Sequence, residues 1–265
     1  MAENSKISWT DHTFNPWWGC THSGPGCDHC YASAFAARFG VAWGKSAPRK
    51  FFGGEHWKEP LRWNRKAERA GIRARVFCAS MGDVCEGRPD LIEPRRRLEQ
   101  VIDDTPHLTW ILLSKRPEHY NSLFSRDTLS RCVVGTTAEN QEMLEERWPH
   151  LARVPAAIRW VSVEPCLGPV TLKCNGCAED VQSHLSPDQG GCSGWFPDWI
   201  VVGAESGPGR RPCKIEWIES IVEQCTRAGV PVHVKQLSLD GRISHDMSEW
   251  PEALRIRQYP ERADA

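Results

Sequence analysis

Three cysteines gathered in one short loop carry the most specific chemistry in the chain. Cys20, Cys27 and Cys30 fall within Asn15 to Tyr31, NPWWGCTHSGPGCDHCY, with the spacing C-x6-C-x2-C. The loop is glycine-rich, follows an aromatic run and precedes small and aromatic residues at helical spacing. Soft thiolates at this density suit a metal ion or an iron–sulfur cluster. Structural zinc is closed by four ligands, with thiolates commonly paired as C-x2-C, and His22 or His29 would have to supply the fourth here. A cubane cluster needs one ligand per iron, so three cysteines leave one iron open to a small molecule.

A second group, Cys174, Cys177 and Cys192, is spaced C-x2-C-x14-C within Lys173 to Pro197. That stretch is rich in Gly, Ser, Pro and Cys and lacks apolar periodicity, so it is expected to be an insertion. Zinc, a second iron–sulfur cluster and no metal are all open for it. Zinc leads, because a segment too small and apolar-poor to fold alone gains its order from a metal. Cys166 is preferred to His184 as the fourth ligand, since its thiolate completes a four-sulfur set. Cys78, Cys85, Cys132, Cys213 and Cys225 are expected to be small core residues.

The elements that must position these groups follow a rhythm. Short β-type runs lie at Arg75 to Ala79, Thr109 to Leu113, Cys132 to Gly135, Ile158 to Val163, Trp199 to Gly203 and Val230 to Lys235. Amphipathic helix patterns lie at Tyr31 to Phe39, Glu93 to Asp103, Arg116 to Leu123, Asn140 to Trp148 and Ile215 to Ala228, and Val41 to Lys66 reads as a loop and a short helix. Alternating strands and helices, with little polar alternation in the strands, predict a parallel sheet buried on both faces. With an initial strand near His12 to Trp17 there are about seven βα units, which favours an α/β architecture of the full or partial (β/α) barrel kind. The expected organisation is residues 1–172 as the first part of the barrel, 173–197 as the insertion, 198–240 as the rest of the barrel and 241–265 as a loosely held tail.

Polar residues recur at the carboxyl ends of these strands, where α/β folds build their ligand sites. They are the three cysteines, then Ser80 and Asp83, then Lys115 and Arg116, then Thr137, Glu139 and Asn140, then Glu164, then Gly203, Glu205 and Ser206, and finally Lys235 and Gln236. Salt bridges within the mouth are the plainer account of the charged members.

At 265 residues the chain is long enough for one large barrel domain. Its net charge of -1 gives no global reason to expect nucleic acid. No run of about 18 apolar residues is present and no apolar core of a signal peptide, so a cytoplasmic protein without a membrane partner is expected. Twelve cysteines in such a compartment point to metal binding more than to disulfides.

The segments WTDHTFNPWWGC, GPGCDHCYA, LLSKRPEH, SVEPCLGPV and VVGAESGPGRRP resemble the phage-associated three-Cys-motif family of the radical S-adenosylmethionine (SAM) superfamily, from Ile7 to about Gln236. The general superfamily spacing is C-x3-C-x2-C; Cys27-Asp28-His29-Cys30 fits its second half, and the longer first gap is shared by the narrower family. The resemblance implies a radical SAM barrel in which Cys20, Cys27 and Cys30 hold a 4Fe-4S cluster. The cluster's open iron would chelate the amino and carboxylate groups of SAM, whose reductive cleavage gives a radical that abstracts a substrate hydrogen. It also implies contacts from Ser80 and Asp83 to the methionine part of SAM and from Thr137, Glu139 and Asn140 to its ribose. The turn Gly203 to Gly207, with Glu205 and Ser206, would approach the adenine. Lys115, Arg116, Glu164, Glu205 and Lys235 become candidates for binding substrate or the SAM carboxylate, Glu164 foremost. A one-electron reductant such as flavodoxin or ferredoxin is the implied partner, and the host cytoplasm the location if the gene is carried by a phage.

For substrate, the resemblance joins a basic segment, Arg38, Lys45, Arg49, Lys50, Lys58, Arg62, Arg65 and Lys66, interleaved with Phe51, Phe52, Trp57 and Trp63. This combination suits a modified base in DNA or RNA; a solvated basic helix with core aromatics explains it equally. The competing expectations are a radical enzyme acting on a small metabolite and a non-catalytic zinc or iron–sulfur module that binds nucleic acid or protein.

Overall fold

The computed structural model describes residues 2–172, 196–207 and 209–261. In chain order the elements are β1 (Ala2–Glu3), β2 (His12–Thr13), β3 (Trp17–Trp18), α1 (Tyr31–Ala37), β4 (Lys50–Phe51), α2 (Gly54–Ala70), β5 (Ala74–Cys78), α3 (Ile92–Asp103), β6 (Leu108–Ser114), α4 (Tyr120–Leu123), α5 (Arg126–Ser130), β7 (Val133–Thr137), α6 (Gln141–Leu151), β8 (Ile158–Val163), β9 (Trp199–Gly203), α7 (Ile215–Ala228), β10 (Val232–Leu239) and β11 (Arg242–Ser244). Strands β2 and β5 to β10 pair in parallel, in the order of the sequence, and β1 and β11 extend the two ends antiparallel. The expected α/β barrel is therefore a partial one, an open sheet whose ends do not pair with each other.

The sheet nevertheless curls. The Trp9 ring lies 4.7 Å from Phe77 on β5, 5.2 Å from Trp160 on β8 and 5.9 Å from Trp199 on β9. Strands β5 and β9 stand four spacings apart, which in a flat sheet would be about 19 Å. One indole can touch both only if the strands bend around it. Across the open seam, the Ser8 hydroxyl lies 2.7 Å from Nε2 of His233 on β10.

Alternation along each strand explains how both faces are buried. Phe77, Ile111, Val133, Ile158, Trp160, Trp199 and Val201 point inward around Trp9. Their neighbours Val76, Trp110, Leu112, Val134, Val161, Val163, Ile200 and Val202 point outward, against the apolar stripes of the helices. On α7 that stripe is Ile218, Ile221, Val222 and Cys225. The inner layer is packed without slack at Gly135, where a Cβ would lie 2.3 Å from Trp160 Nε1.

Some elements differ from expectation for local reasons. The first strand stops at Thr13, because Pro16 offers no amide to a ladder and Asn15 turns to bond the end of β5, and Trp17–Trp18 pairs instead with β4. The helix expected to be short in the basic segment runs for 17 residues as α2. The last segment, expected to be a loose tail, packs firmly: Trp250 and Leu254 are buried, and Tyr259 meets Trp199 edge-on at 4.9 Å. Among the described residues no helix is long and apolar enough to cross a membrane. Cys174, Cys177, Cys192 and His184 lie outside the described residues.

Burial, reinforced by Arg257 and Arg75, depresses His233 from 6.5 to about 3. The unfolded chain then binds the extra proton first, so stability is full above pH 6.5 and falls as pH drops towards 3. His233→Gln is expected to flatten the denaturation midpoint over that range, while the wild type loses stability steadily; an unchanged pH profile would contradict this account of the seam.

Candidate active site

One cavity of about 270 Å³ opens at the carboxyl ends of the parallel strands. Cys20, Cys27 and Cys30 line it together with Ser80, Asp83, Lys115, Arg116, Thr137, Glu164, Glu205, Ser206 and Lys235. The inward alternation places them there: Thr137 and Lys235 continue the inner rows of β7 and β10, above the apolar layer around Trp9. All three cysteines are free thiols and partly buried. Burial raises Cys20, with Asp83 adding to the effect and Arg116 opposing it. Burial also raises Cys27, against the pull of Lys115.

The loop that carries them is irregular, so its carbonyl groups need partners from elsewhere. Arginines supply them, each held by a carboxylate at or near a strand end. Arg116 donates to Thr21 O at 2.7 Å and pairs with Asp83 at 2.6 Å. Arg147 donates to Ser23 O at 2.7 Å and pairs with Glu139 at 2.9 Å. Arg211 donates to Pro25 O at 2.8 Å and pairs with Glu205 at 2.5 Å. The buried Arg49 pairs with Glu86 at 2.5 Å, and both bond the Thr21 hydroxyl. The fit is close: a Cβ on Gly26 would fall 2.0 Å from Glu139 Oε1, and one on Gly19 would fall 2.7 Å from Arg49 Cδ.

Several expected ligands are thereby committed within the protein, as the salt-bridge account held. Both Asp83 oxygens are bonded, to Ser114, Cys85 N, Lys115 N and Arg116. Glu139 lies beneath the loop between Lys115 and Arg147. Burial alone would raise its pKa, but the two cations outweigh that and leave it low. Glu205 is also low, Arg211 outweighing the effect of burial. Asn140 caps α6, its side chain accepting from Met143 N at 3.0 Å. Gly203 accepts from Cys166 N at 2.9 Å, and neither it nor Glu139 nor Asn140 lines the cavity. Glu164 does line it, paired with Lys235 and 3.2 Å from the Gln236 amide.

Among the described residues no three His, Cys, Asp or Glu side chains stand close enough to hold a single metal ion. Cys166 is buried, with its thiol 3.5 Å from Gly168 O, and neighbours Cys213, which draws it below the usual thiol range. Cys213, expected to be a core residue, is therefore its partner and is partly exposed.

An open α/β barrel with a thiol-lined mouth, its cysteine loop clamped by arginines, is the class of protein that fold and site define. Residues 4–250 match the family described as "Protein of unknown function (DUF5131)", and the chain belongs to that family. No curated protein matches it. Two solved structures to which it is similar are a spore photoproduct lyase mutant with bound AdoMet and dinucleoside spore photoproduct, at 13% identity, and a second spore photoproduct lyase mutant, at 15%. Each superposes with a TM-score of 0.45, over 61% of this chain and 47% of the other, so the chain matches about half the length of these proteins.

Arg147→Ala removes the grip on Ser23 O and leaves the buried Glu139 with Lys115 alone, which should cost about 1.5–3 kcal/mol, the worth of a charge-assisted hydrogen bond. Labelling of Cys27 by a thiol reagent should accelerate in native buffer, and Arg147→Lys should restore only part of the protection, because it lacks the two-pronged geometry. Unaltered stability and labelling would refute the clamp.

Proposed function

We propose that the chain is a radical SAM enzyme whose cluster is held by Cys20, Cys27 and Cys30. The observation that carries this proposal is the placement of three free thiols from one loop on the cavity where the parallel strands end. No fourth cysteine lines that cavity among the described residues, which suits a four-iron cluster with one open iron and not a closed zinc site. The motif resemblance from Ile7 to about Gln236 supports the same conclusion.

A 4Fe-4S cluster held there by Cys20, Cys27 and Cys30 would supply an open coordination site for SAM and the one-electron chemistry of its reductive cleavage. The chain's own residues hold, orient and shield. The hydroxyls of Ser80, Thr137 and Ser206 face the cavity and offer hydrogen bonds to the polar parts of SAM. Ser80 is itself fixed, by Asn15 at 3.1 Å and by the Tyr31 hydroxyl on its carbonyl at 2.9 Å. Glu164 and Lys235 provide the ion pair that meets the substrate. The apolar layer around Trp9 closes the floor and keeps water from a reactive radical. A one-electron carrier of the flavodoxin or ferredoxin kind completes the system.

Anaerobic reconstitution with iron and sulfide is expected to load about four irons on this loop and to release 5'-deoxyadenosine from SAM with a reductant. Alanine at Cys20, Cys27 or Cys30 should abolish both, and full SAM cleavage by any of the three variants would overturn the assignment. A protein that takes up iron but never yields 5'-deoxyadenosine is the non-catalytic module instead. Zinc in the same preparation would support the knuckle at Cys174, Cys177 and Cys192; iron alone rules it out. Glu164→Gln should slow SAM cleavage or turnover, and a rate equal to wild type removes Glu164 from the mechanism.

A further inference from the structure

The surface beside the cavity is aromatic and cationic in a way the barrel does not require. Phe35, Phe39 and Phe51 are 41%, 60% and 46% exposed, and Tyr31 is exposed beside them in sequence. Phe35, Phe39 and Phe52 surround Trp18 at 5.9–6.0 Å with interplanar angles of 63–75°. Edge-on packing of this kind steadies the rings without covering them. The patch contains no large exposed aliphatic side chain: the other large exposed apolar residues, Ile72 and Ile92, come from other elements.

Its charge is one-sided. From His29 to Gly54 the sequence has no Asp or Glu, yet it carries Arg38, Lys45, Arg49 and Lys50. Arg49 is buried against Glu86. Arg38, Lys45 and Lys50 are exposed and form no ion pair among the described residues. Lys50 Nζ sits 4.9 Å from the Trp18 ring centre and 5.9 Å from that of Phe52. Most of the rest of the basic segment is paired or buried, Arg65 being exposed without an ion pair among the described residues. Lys58 pairs with Glu55, Arg62 with Glu55 and Glu59, and Lys66 with Glu3, while Trp57 and Trp63 are core. The patch is also continuous with the mouth, because Trp18 packs in the small cluster that includes Cys30 and Trp43, and Tyr31 and Trp43 line the cavity.

We propose that Trp18, Phe35, Phe39 and Phe52, with Arg38, Lys45 and Lys50, form a binding face for single-stranded nucleic acid that leads one nucleotide into the cavity. Every base has a π-face, so rings without aliphatic companions suit stacking of successive bases, and the three unpaired cations suit the phosphates between them. Two of the three cations are lysines, which are depleted at protein–protein interfaces and suit phosphates. Only the destination of the nucleotide rests on the proposed reaction; the face itself does not.

The test is fluorescence anisotropy of the reconstituted protein with a labelled mixed-sequence DNA strand of about 20 nucleotides. Three phosphate contacts predict a log K against log salt slope of about -2, hence about 20-fold weaker binding on going from about 50 to about 200 mM salt. Phe35→Ala and Phe39→Ala should each weaken binding about tenfold and keep the slope. Combined Arg38→Ala, Lys45→Ala and Lys50→Ala should weaken it and flatten the slope. Both sets alter exposed side chains and should leave the circular dichroism spectrum and the release of 5'-deoxyadenosine from SAM unchanged. No binding at about 50 mM salt, or binding indifferent to all these variants, overturns the proposal. So does selective loss of reduction by an acidic flavodoxin with strand binding intact, because the face then belongs to an electron donor. Strand binding that needs these side chains, in a protein that never cleaves SAM, upholds this inference and defeats the radical assignment alone.

Discussion

The grip of guanidinium groups on the carbonyls of the cysteine loop is the interaction on which the rest of the site depends. Residues 19–30 have one short turn of 3-10 helix, Pro25–Cys27, and few internal hydrogen bonds. Such a segment would ordinarily sit in water, yet here it roofs a cavity. Thr21 O, Ser23 O and Pro25 O each receive an arginine, and each arginine is fixed by a carboxylate beneath. Charge-assisted hydrogen bonds are worth about 1.5–3 kcal/mol each, enough to hold an irregular loop in one shape. Because the carboxylates Asp83, Glu139 and Glu205 follow β5, β7 and β9, the loop's shape is tied to the curvature of the sheet.

That curvature is in turn a packing consequence. The inner faces of β5 to β9 carry large side chains that cannot be left in water, and Trp9 gives them a common centre. Closing the strands around one indole removes apolar area at about 25 cal/mol per Å² and makes hydrogen bonding between the sheet's two ends unnecessary. An open seam then leaves room at the mouth for a loop of this size. Apolar layer, strand-end carboxylates and arginine clamps form one stack, read from the floor of the barrel upward.

Much of this stack was legible in the sequence and part was not, for identifiable reasons. The seven parallel strands follow from apolar runs between helical patterns, and the cysteines' common cavity follows from their place after the first strand. The recurrence of polar residues at strand ends was also visible, but its main purpose was not: Asp83 binds an arginine 33 residues away, and Glu139 and Glu205 bind arginines eight and six residues on, across a loop–helix junction and a loop where no periodicity marks the pair. Two of the missed arginines did leave a trace. Arg147 falls on the buried stripe of α6 with Met143, Leu144, Trp148 and Leu151, and Arg95 on that of α3 with Leu98, Val101 and Ile102. A charge in the middle of an apolar stripe must find a buried partner, and Arg95 meets Val84 O and Glu86 O. Asn140, by contrast, stands directly before a helix, a position that favours a cap over a ligand.

Once these commitments are removed, the mouth's electrostatics narrow the choice of reactive groups. Arg116, Arg211 and Lys235 are matched by Asp83, Glu205 and Glu164, while Lys115 and Arg147 share Glu139, one cation in excess. Beyond that single excess charge, an anionic ligand binds by taking a cation from its carboxylate. The cost depends on what is left behind. Glu139, Asp83 and Glu205 side chains are only 0–6% exposed, but Glu139 would keep Arg147 if Lys115 left, and Asp83 would keep Ser114 and two backbone amides. Glu164 is 16% exposed and keeps the Gln236 amide at 3.2 Å. At both lysine pairs, Lys115 with Glu139 and Lys235 with Glu164, the carboxylate retains a partner when the lysine turns away, so these pairs open more cheaply than the two-pronged pair of Arg211 with Glu205.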